Sequence, residues 1–412
     1  MISTSPEQSA GVQLRRRHQG GSPWPEARRL AGSAPLPLAP RVVGLTEGIG
    51  CVLAEPLVAA SHLPAYDNSA MDGWAVAGPP PWRVVGEVPA GRVRPWPLRP
   101  GECVAIATGG VLPSGADTVV PVEEAEQDGA TVRPVRGTGA TKPHIRFAGE
   151  EARAGDPLLG VGTVVTPPVA GLAAAVGLDT LRVRPKARVA VRIVGDEVTT
   201  SGCPSPGCVR DALGPQLPAW VTSMGGEVSG SPAYVHDDVA DLTEAIGSAD
   251  ADLVLTTGST SVGVRDHLHR VLAGLGARVV VDGVDVKPGH PMLLAVLPDG
   301  RWVAGLPGNP LAACAALMTL VQPLLDRMHG REPAATSAVR LLEAQPARQG
   351  DGHRLLPVDR APDATAAVLP SCGSAMLRGL ARATGLAVVP PYGAQAGDRV
   401  EYLALPWSHR GP

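Results

Sequence analysis

Apolar runs between residues 252 and 310 lead three times into a glycine-rich loop, and this repeat constrains the fold more than any other part of the sequence. The loops are Gly258-Ser-Thr-Ser-Val-Gly263, Lys287-Pro-Gly-His-Pro291 and Gly305-Leu-Pro-Gly-Asn-Pro310. Short runs rich in β-branched residues are typical of buried parallel strands. Because loops at the carboxyl ends of parallel strands line the ligand crevice of an open α/β sheet, we expect a binding site here.

The last of these loops also predicts the start of a helix. Asn309 is a favourable N-cap, Pro310 suits the first helical position, and residues 311–325 form an apolar helical run. A helix N-terminus with free amides favours an anion, and Lys287 adds a positive charge one loop away. The pattern therefore predicts a pocket for a phosphorylated or otherwise anionic ligand. The alternative is that the glycines of each loop only form tight turns.

Acidic residues follow a further strand-like run, residues 187–194, in the sequence Gly195-Asp-Glu197. Paired acids at the carboxyl end of a strand commonly hold Mg²⁺ through a few oxygens, while water and phosphate supply the rest. A solvated loop is the alternative. Helical runs at residues 213–224 and 241–246 alternate with the strand-like runs, which predicts a doubly wound sheet.

The regions on either side have the pattern of β structure. Residues 81–145 alternate short valine-rich strands with Pro/Gly turns, and separate strand-like runs at turn spacing follow Gly330. The predicted fold class is a multidomain α/β plus β protein, with a central doubly wound α/β domain, a β-rich insertion domain and a small C-terminal β-barrel. We predict these boundaries: 1–33 for a flexible N-terminal arm, 34–60 with 146–185 for a discontinuous helical and extended hinge domain, 61–145 for the insertion domain, 186–330 for the α/β domain and 331–407 for the barrel.

Two side chains of the predicted insertion domain are candidates for ligand contact. Asp72 precedes Gly73 in a polar stretch, although an acid in this position is more often a turn-former. Thr108 opens a Gly-Gly turn, so its hydroxyl and the following amides could face a ligand. An ordinary hairpin turn is the alternative for Thr108.

Charge and cysteine usage restrict the class of protein. The formal net charge of −3 gives no reason to expect a nucleic-acid or membrane partner. Cys203 and Cys208 flank Pro-Ser-Pro-Gly, but the six cysteines form no disulfide framework and no second pair, which argues against a metal site. No run reaches the roughly 18 apolar residues that span a bilayer, and no apolar core follows Arg15-Arg-Arg17 as it would in a secretory signal. We predict a soluble cytoplasmic protein.

Six motifs, in order within residues 41–407, resemble those of molybdopterin molybdenumtransferases of the MoeA/gephyrin type. They are Asp67-Asn-Ser-Ala-Met-Asp-Gly-Trp-Ala-Val76, Thr108-Gly-Gly-Val-Leu-Pro-Ser-Gly-Ala-Asp117, Gly195-Asp-Glu197, Thr257-Gly-Ser-Thr-Ser-Val-Gly263 with Asp266, Lys287-Pro-Gly-His-Pro291 and Gly305-Leu-Pro-Gly-Asn-Pro310. The resemblance implies that the α/β domain binds molybdopterin. It implies that adenylylated molybdopterin and molybdate yield molybdenum cofactor and AMP, with Mg²⁺ or a similar divalent cation. It also implies a homodimer in which the α/β domain of one chain faces the insertion domain of the other, with the upstream molybdopterin adenylyltransferase as a further partner.

The same resemblance assigns roles to single residues. It implies catalytic roles for Asp72, Thr108, Glu197 and Asp266, and metal binding by Asp72, Asp196 and Glu197. The substrate-binding residues that it implies are Gly258, Ser261, Gly263, Lys287, His290, Pro307, Gly308, Asn309, Pro310 and Ser374.

Several positions depart from the usual pattern of this family. Val194 and Val198 flank Gly-Asp-Glu in place of Thr and Leu, Ala212-Leu213 stands for Ser-Asn or Thr-Asn, and His290 stands for a lysine. Each lost hydroxyl, amide or ammonium group removes a polar contact worth about 1–3 kcal/mol if that contact was buried against substrate. The sequence predicts a working but divergent enzyme. The alternative is a catalytically impaired paralogue that binds molybdopterin or the molybdenum cofactor as a carrier or scaffold.

Overall fold

The computed structural model of the chain describes residues 21–89, 91–94, 96–135, 143–258, 267–333, 336–347 and 352–408. These residues form two compact units. The insertion unit is Pro40–Val183, and the α/β–barrel unit comprises the residues up to Ala39 together with those from Arg184 onward. The multidomain α/β plus β class is confirmed, whereas the five-part division of the chain stays a prediction.

A mixed sheet forms the centre of the α/β–barrel unit. Its strands lie in the order Glu227–Val228, Arg188–Val194, Leu253–Thr257, Trp302–Leu306, Leu293–Val296 and Arg278–Asp282, and Ala233–Val235 also pairs with Arg188–Val194. The first four strands are parallel, while Leu293–Val296 and Arg278–Asp282 run antiparallel to their neighbours. The prediction of a parallel strand is therefore wrong for the run that begins at Arg278. After Gly283, with a φ of +74°, the strand Val284–Lys287 leaves this sheet and pairs with the barrel.

Helices cover both faces of the sheet, as the doubly wound prediction requires. Leu253 and Leu255 point to the core that contains the helix Leu217–Ser223. Val254 points to the other core, which contains the helices Val239–Gly247 and His267–Gly274. This alternation along one strand buries both faces and accounts for its continuously apolar sequence.

The long apolar helix of the unit spans residues 310–328 rather than 311–325. It is α-helical over Pro310–Ala316, π-helical over Leu317–Val321 and α-helical again over Gln322–Met328. By length and composition it could cross a membrane, contrary to the prediction that no run is long enough. However, 89% of its apolar window is buried in the protein. Its side chains belong to the main core of the unit, so packing accounts for their apolar character.

The predicted C-terminal barrel is confirmed. The strand His353–Arg360 pairs with both Thr365–Val368 and Gly385–Val389. Ser337–Leu341 and Arg399–Ala404 complete the ring, which closes as a five-strand barrel. A short 3₁₀ helix, Leu380–Arg382, precedes the fourth strand in sequence.

The helix Trp24–Ser33 lies within the segment predicted to be a flexible arm. Its residues Trp24, Ala27 and Ala31 are buried in the main core, and Trp24 Nε1 donates to Thr319 Oγ1 at 3.0 Å. Ser22–Pro23 pairs in parallel with the strand Val284–Lys287. The prediction of a flexible arm is therefore wrong for residues 21–33. The buried contacts of this segment depend on a few apolar residues, Trp24, Ala27 and Ala31, which stand among charged neighbours in the sequence. Residues 1–20 lie outside the described part of the chain.

The insertion unit contains a six-strand sheet and several smaller pieces. The sheet has the order Ala125–Asp128, Thr131–Pro134, Trp82–Val88, Glu102–Ile106, Gly73–Val76 and Thr118–Pro121. Outside it, the helices are Leu45–Gly48 and Pro167–Ala175, with a 3₁₀ turn at Val122–Glu124. The short strand pairings are Arg41–Gly44 with Thr180–Arg184 and Val52–Leu53, Leu57–Val58 with Pro157–Leu159, and Asn68–Ser69 with Ile145–Arg146.

Candidate functional site

The loops that follow Val194, Thr257 and Leu306 lie side by side at the carboxyl ends of three parallel strands. The register pairs Thr257 with Ile193 on one side and with Leu306 on the other, so the chain leaves all three strands at one level. Gly258 follows with a φ of +81°, and a Cβ there would lie 2.9 Å from the Val194 carbonyl oxygen. Both the backbone angle and the close approach require glycine at this position. The crevice expected at the strand ends is present.

A pocket of about 270 Å³ lies against these loops. Among the residues predicted to bind substrate, the structure places seven on its lining: Gly258, Lys287, His290, Pro307, Gly308, Asn309 and Ser374. The other lining residues are Val286, Pro288, Gly289, Pro291 and Ala312. Pro310 begins the adjacent helix, and Ser261, Gly263 and Asp266 lie outside the described residues. The structure thus gathers most of the predicted set, while their role in binding stays a prediction.

The helix that starts at Pro310 does not offer free amides to the pocket. The Ser374 carbonyl oxygen accepts hydrogen bonds from the Leu311 amide at 2.9 Å and from the Ala312 amide at 3.2 Å. The Ala313 amide donates to the Asn309 carbonyl, and Pro310 has no N–H. The predicted anion site on these helix amides is therefore wrong, because a segment of the barrel already occupies the helix end.

Asn309 holds the predicted N-cap position without the predicted cap bond. Its side chain accepts no hydrogen bond from the helix amides, and its Nδ2 lies 3.4 Å from Ser374 Oγ. Asn309 and Ser374 therefore form one neutral, polar wall of the pocket.

Lys287 and His290 are the basic side chains among the described residues of the pocket lining. Both side chains are exposed, and they lie on either side of the turn that follows the strand Val284–Lys287. His290 Nδ1 lies 2.7 Å from the Val284 carbonyl oxygen, and the Val284 amide donates to the His290 carbonyl at 2.9 Å. Because a carbonyl oxygen only accepts, Nδ1 carries a proton and Nε2 is the acceptor in the neutral ring.

The acidic loop begins next to Gly258. A Cβ on Gly195, which has a φ of +142°, would lie 2.9 Å from Glu197 Oε2, so the exposed Glu197 carboxylate turns back over its own loop. Asp196 Oδ1 lies 3.0 Å from His236 Nδ1, and this hydrogen bond raises the pKa of His236 above its usual value. His236 was not predicted as a site residue, although its place just after the strand Ala233–Val235 is a signal that could have identified it.

The two exposed acids have the right chemistry for Mg²⁺ but cannot enclose it. Mg²⁺ is bound through one or two carboxylates and keeps several waters. Within the described part of the chain, no group of three or more His, Cys, Asp and Glu side chains is placed to hold a metal ion. Asp196 and Glu197 would therefore supply part of a coordination shell, and water and substrate oxygens would supply the remainder.

Asp211 and Leu213 have structural roles. Asp211 Oδ1 accepts from the Leu213 and Gly214 amides, and its Oδ2 accepts from the Tyr234 hydroxyl at 2.7 Å. The Leu213 side chain is buried in the main core. At the position where the resemblance leads us to expect an asparagine, this chain therefore contributes to packing.

In the insertion unit, Asp72 and Thr108 contact each other directly. Asp72 Oδ1 accepts from the Thr108 amide at 2.5 Å and from the Thr108 hydroxyl at 2.8 Å. These bonds, first from the amide and then from the hydroxyl, lower the pKa of Asp72. The carboxylate thus stays ionised and fixes the turn at Gly109, whose φ is +78°. A catalytic or metal-binding role for the pair stays a prediction.

The chain matches two known protein families. Residues 23–177 match the family described as the MoeA N-terminal region (domain I and II), and residues 190–327 match the probable molybdopterin binding domain. The molybdopterin molybdenumtransferase of Synechococcus elongatus is 34% identical over 379 residues, which cover 88% of this chain and 93% of the relative. This chain belongs to the molybdopterin molybdenumtransferase family. It is a transferase.

Other members of the family support the assignment. Molybdopterin molybdenumtransferase 2 of Mycobacterium tuberculosis is 34% identical over 323 residues, covering 74% of this chain and 79% of that protein. The crystal structure of a molybdopterin biosynthesis MoeA protein from Pyrococcus horikoshii aligns with 93% of this chain and 99% of its own, at a TM-score of 0.73 and 26% identity. The motifs that suggested the family therefore belong to a chain that matches it over nearly its full length.

Proposed function

We propose that this transferase inserts molybdate into adenylylated molybdopterin and releases AMP, in the biosynthesis of the molybdenum cofactor. We propose that it does so in the cytoplasm, as a homodimer, with Mg²⁺ or a similar divalent cation. The adenylylated substrate would come from the molybdopterin adenylyltransferase upstream. Family membership supports the biosynthetic role, and the pocket supports the kind of substrate.

The composition of the pocket lining carries the proposal. Lys287 and His290 are its titratable residues, and none of the described lining residues is Asp or Glu. A cationic wall without a carboxylate favours an anion such as a phosphate group. The volume of about 270 Å³ is slightly below the range for small-molecule sites, which is roughly 300–1,000 Å³. The pocket therefore fits one part of the substrate, the phosphorylated pterin end, better than the whole adenylylated molecule.

The acidic loop provides the other function that the reaction requires. A divalent cation bound there would neutralise charge on the phosphate oxygens of the adenylyl group. Glu197 and Asp196 would orient and hold this cation, and Gly258 brings the pocket loop against the same strand end. The neutral Asn309–Ser374 wall would orient the uncharged part of the pterin through hydrogen bonds.

Asp72 and Thr108 complete the proposal for a homodimer. By family position they handle ligand, and in a two-fold dimer the insertion unit of one chain would supply them to the pocket of its partner. The hydrogen bonds from Thr108 keep the Asp72 carboxylate charged and in one orientation. Such a carboxylate would suit either of two roles. It would hold the cation, or it would orient the side chains that bind molybdate.

Turnover of the defined substrates tests the proposal. Purified protein is incubated with adenylylated molybdopterin, molybdate and Mg²⁺, and the release of AMP and the formation of cofactor are measured. Glu197→Gln should lower turnover at least about a hundredfold, the scale of a lost electrostatic contribution. Glu343→Gln, which changes an exposed acid outside the pocket lining, should keep the normal rate. Tight binding of molybdopterin without AMP release would contradict the enzyme and support the carrier.

A further inference from the structure

Histidine is the side-chain type that ordinarily changes charge near neutral pH, and His290 is the one histidine among the residues described for the pocket lining. Lys287, three residues earlier, is the other basic side chain of that lining. Because no described lining residue is acidic, an anion in the pocket meets one lysine and one histidine side chain. The two basic side chains are therefore not equivalent.

The ring of His290 is held so that only one nitrogen can respond to a ligand. Nδ1 donates to the Val284 carbonyl oxygen at 2.7 Å, and the Val284 amide fixes the backbone of His290 in return. This bond to a carbonyl exists in both charge states of the ring, since a carbonyl oxygen needs a donor. Nε2 is then the atom that gains or loses the proton.

The described strands beside this turn carry other charged or titratable side chains. Asp285 and Lys287 lie on the strand that precedes the turn, and Asp285 Oδ1 accepts the Gly21 amide at 3.1 Å. His353 and Arg354 lie on the paired barrel strand, opposite Val286 and Lys287. Among the described residues, the part of the lining formed by Gly258, residues 307–309, Ala312 and Ser374 has no titratable side chain.

We propose that His290 is an anion-binding residue that contacts its ligand through Nε2–H only when the ring is protonated. Binding of the anion and uptake of one proton by Nε2 are then coupled, with no covalent change in either. A neutral ring presents a lone pair to the anion, whereas the protonated ring donates a charge-assisted hydrogen bond. The identification of the anion with the phosphate of molybdopterin rests on the proposed function, but the coupling itself does not.

Sulfate tests the coupling directly, because it stays a dianion between pH 5 and 8 and contributes no titration of its own. The imidazole signals of the protein are followed by NMR against pH, with and without sulfate, and the His290 signal is assigned by its loss in His290→Gln. Linkage is reciprocal, so tighter binding to the protonated ring moves the midpoint of the His290 titration to higher pH. A tenfold preference corresponds to a move of about one pH unit.

Variants separate this coupling from general attraction of sulfate. Sulfate affinity of the native chain should rise as the pH falls from 8 to 5, while His290→Lys should bind sulfate with little dependence on pH. Lys287→Met should weaken sulfate binding at every pH, which places the ion in the pocket. An unmoved His290 midpoint with bound sulfate, or equal pH dependence in the native chain and His290→Lys, would overturn the inference.

The turnover assay and the sulfate titration test the proposed function and the role of His290 separately. A protein that shows the sulfate coupling but releases no AMP would refute the proposed function and leave the role of His290 intact. A protein that releases AMP while sulfate leaves the His290 titration unmoved would refute the role of His290 alone.

Discussion

Acidification should destabilise this protein through His329, a buried histidine at the end of the long apolar helix. Its side chain is in the core, and its Nε2 accepts the Ala187 amide at 3.1 Å. Burial first, and then the charge of Arg331, lower the pKa of His329 from 6.5 to about 4. The ring must stay neutral for this bond, since a protonated Nε2 cannot accept.

The folded and unfolded chains bind a proton on His329 at different pH, and this difference sets the sign and size of the change in stability. The unfolded chain binds a proton on this residue below about pH 6.5, and the folded chain does so only near pH 4. Stability from this group is therefore complete above pH 6.5 and is lost as the pH falls through this window. Between pH 7 and pH 5 the loss is about 2 kcal/mol, at 1.36 kcal/mol for each unit of pH below 6.5.

The variant His329→Gln isolates this contribution. Glutamine can offer an oxygen to the Ala187 amide and does not titrate. Unfolding by urea, followed by tryptophan fluorescence at pH 7 and pH 5, should show a loss for the native chain that exceeds the loss for the variant by about 2 kcal/mol. Other titrating groups contribute to both chains and cancel in the difference. Equal losses in the two chains would refute the assignment of a neutral, accepting ring to His329.

Three further outcomes are expected. If the site is shared between subunits, Asp72→Asn and Lys287→Met should each be inactive alone. An equal mixture of the two variants that exchanges subunits should recover about a quarter of native turnover, because half of the dimers are mixed and each mixed dimer holds one intact site of two. If the site lay within one chain, the mixture would recover no turnover. Gly258→Ala should cost about 1–3 kcal/mol in urea unfolding and lower turnover, since its φ is positive and its Cβ would meet the Val194 carbonyl. Leu213→Asn, which introduces the residue expected from the family, should destabilise the chain by about 2–4 kcal/mol without raising turnover, because Leu213 is buried in the main core.

The sequence predicted the loops of the site well, for a physical reason. Gly258 and Gly195 are needed at positive φ beside close neighbours, so the residue type records the backbone geometry. Lys287 and Asn309 lie next to such loops, and short-range reasoning placed them in one crevice. The closed barrel also followed from strand spacing alone.

The failures concern partners that are distant in sequence. Nothing near Pro310 indicates that Ser374, more than sixty residues later, caps the helix. Likewise, the apolar run at Arg278 has the same pattern whether its neighbour is parallel or antiparallel, so periodicity could not give its direction. The helix that contains Trp24 is short and carries three charged residues, and its burial depends on Thr319 and the core around it.

The capped helix changes how the pocket must recognise an anion. With the Leu311 and Ala312 amides taken by the Ser374 carbonyl, the wall formed by Asn309 and Ser374 offers neutral hydrogen-bonding groups. Among the described lining residues the basic side chains are Lys287 and His290, which follow one strand. A ligand with one anionic end and one neutral, polar end therefore has a preferred orientation in this pocket. The proposed ligand, a phosphorylated pterin, has that polarity, and the barrel segment that caps the helix end leaves the lysine and the histidine as the basic groups of the described lining.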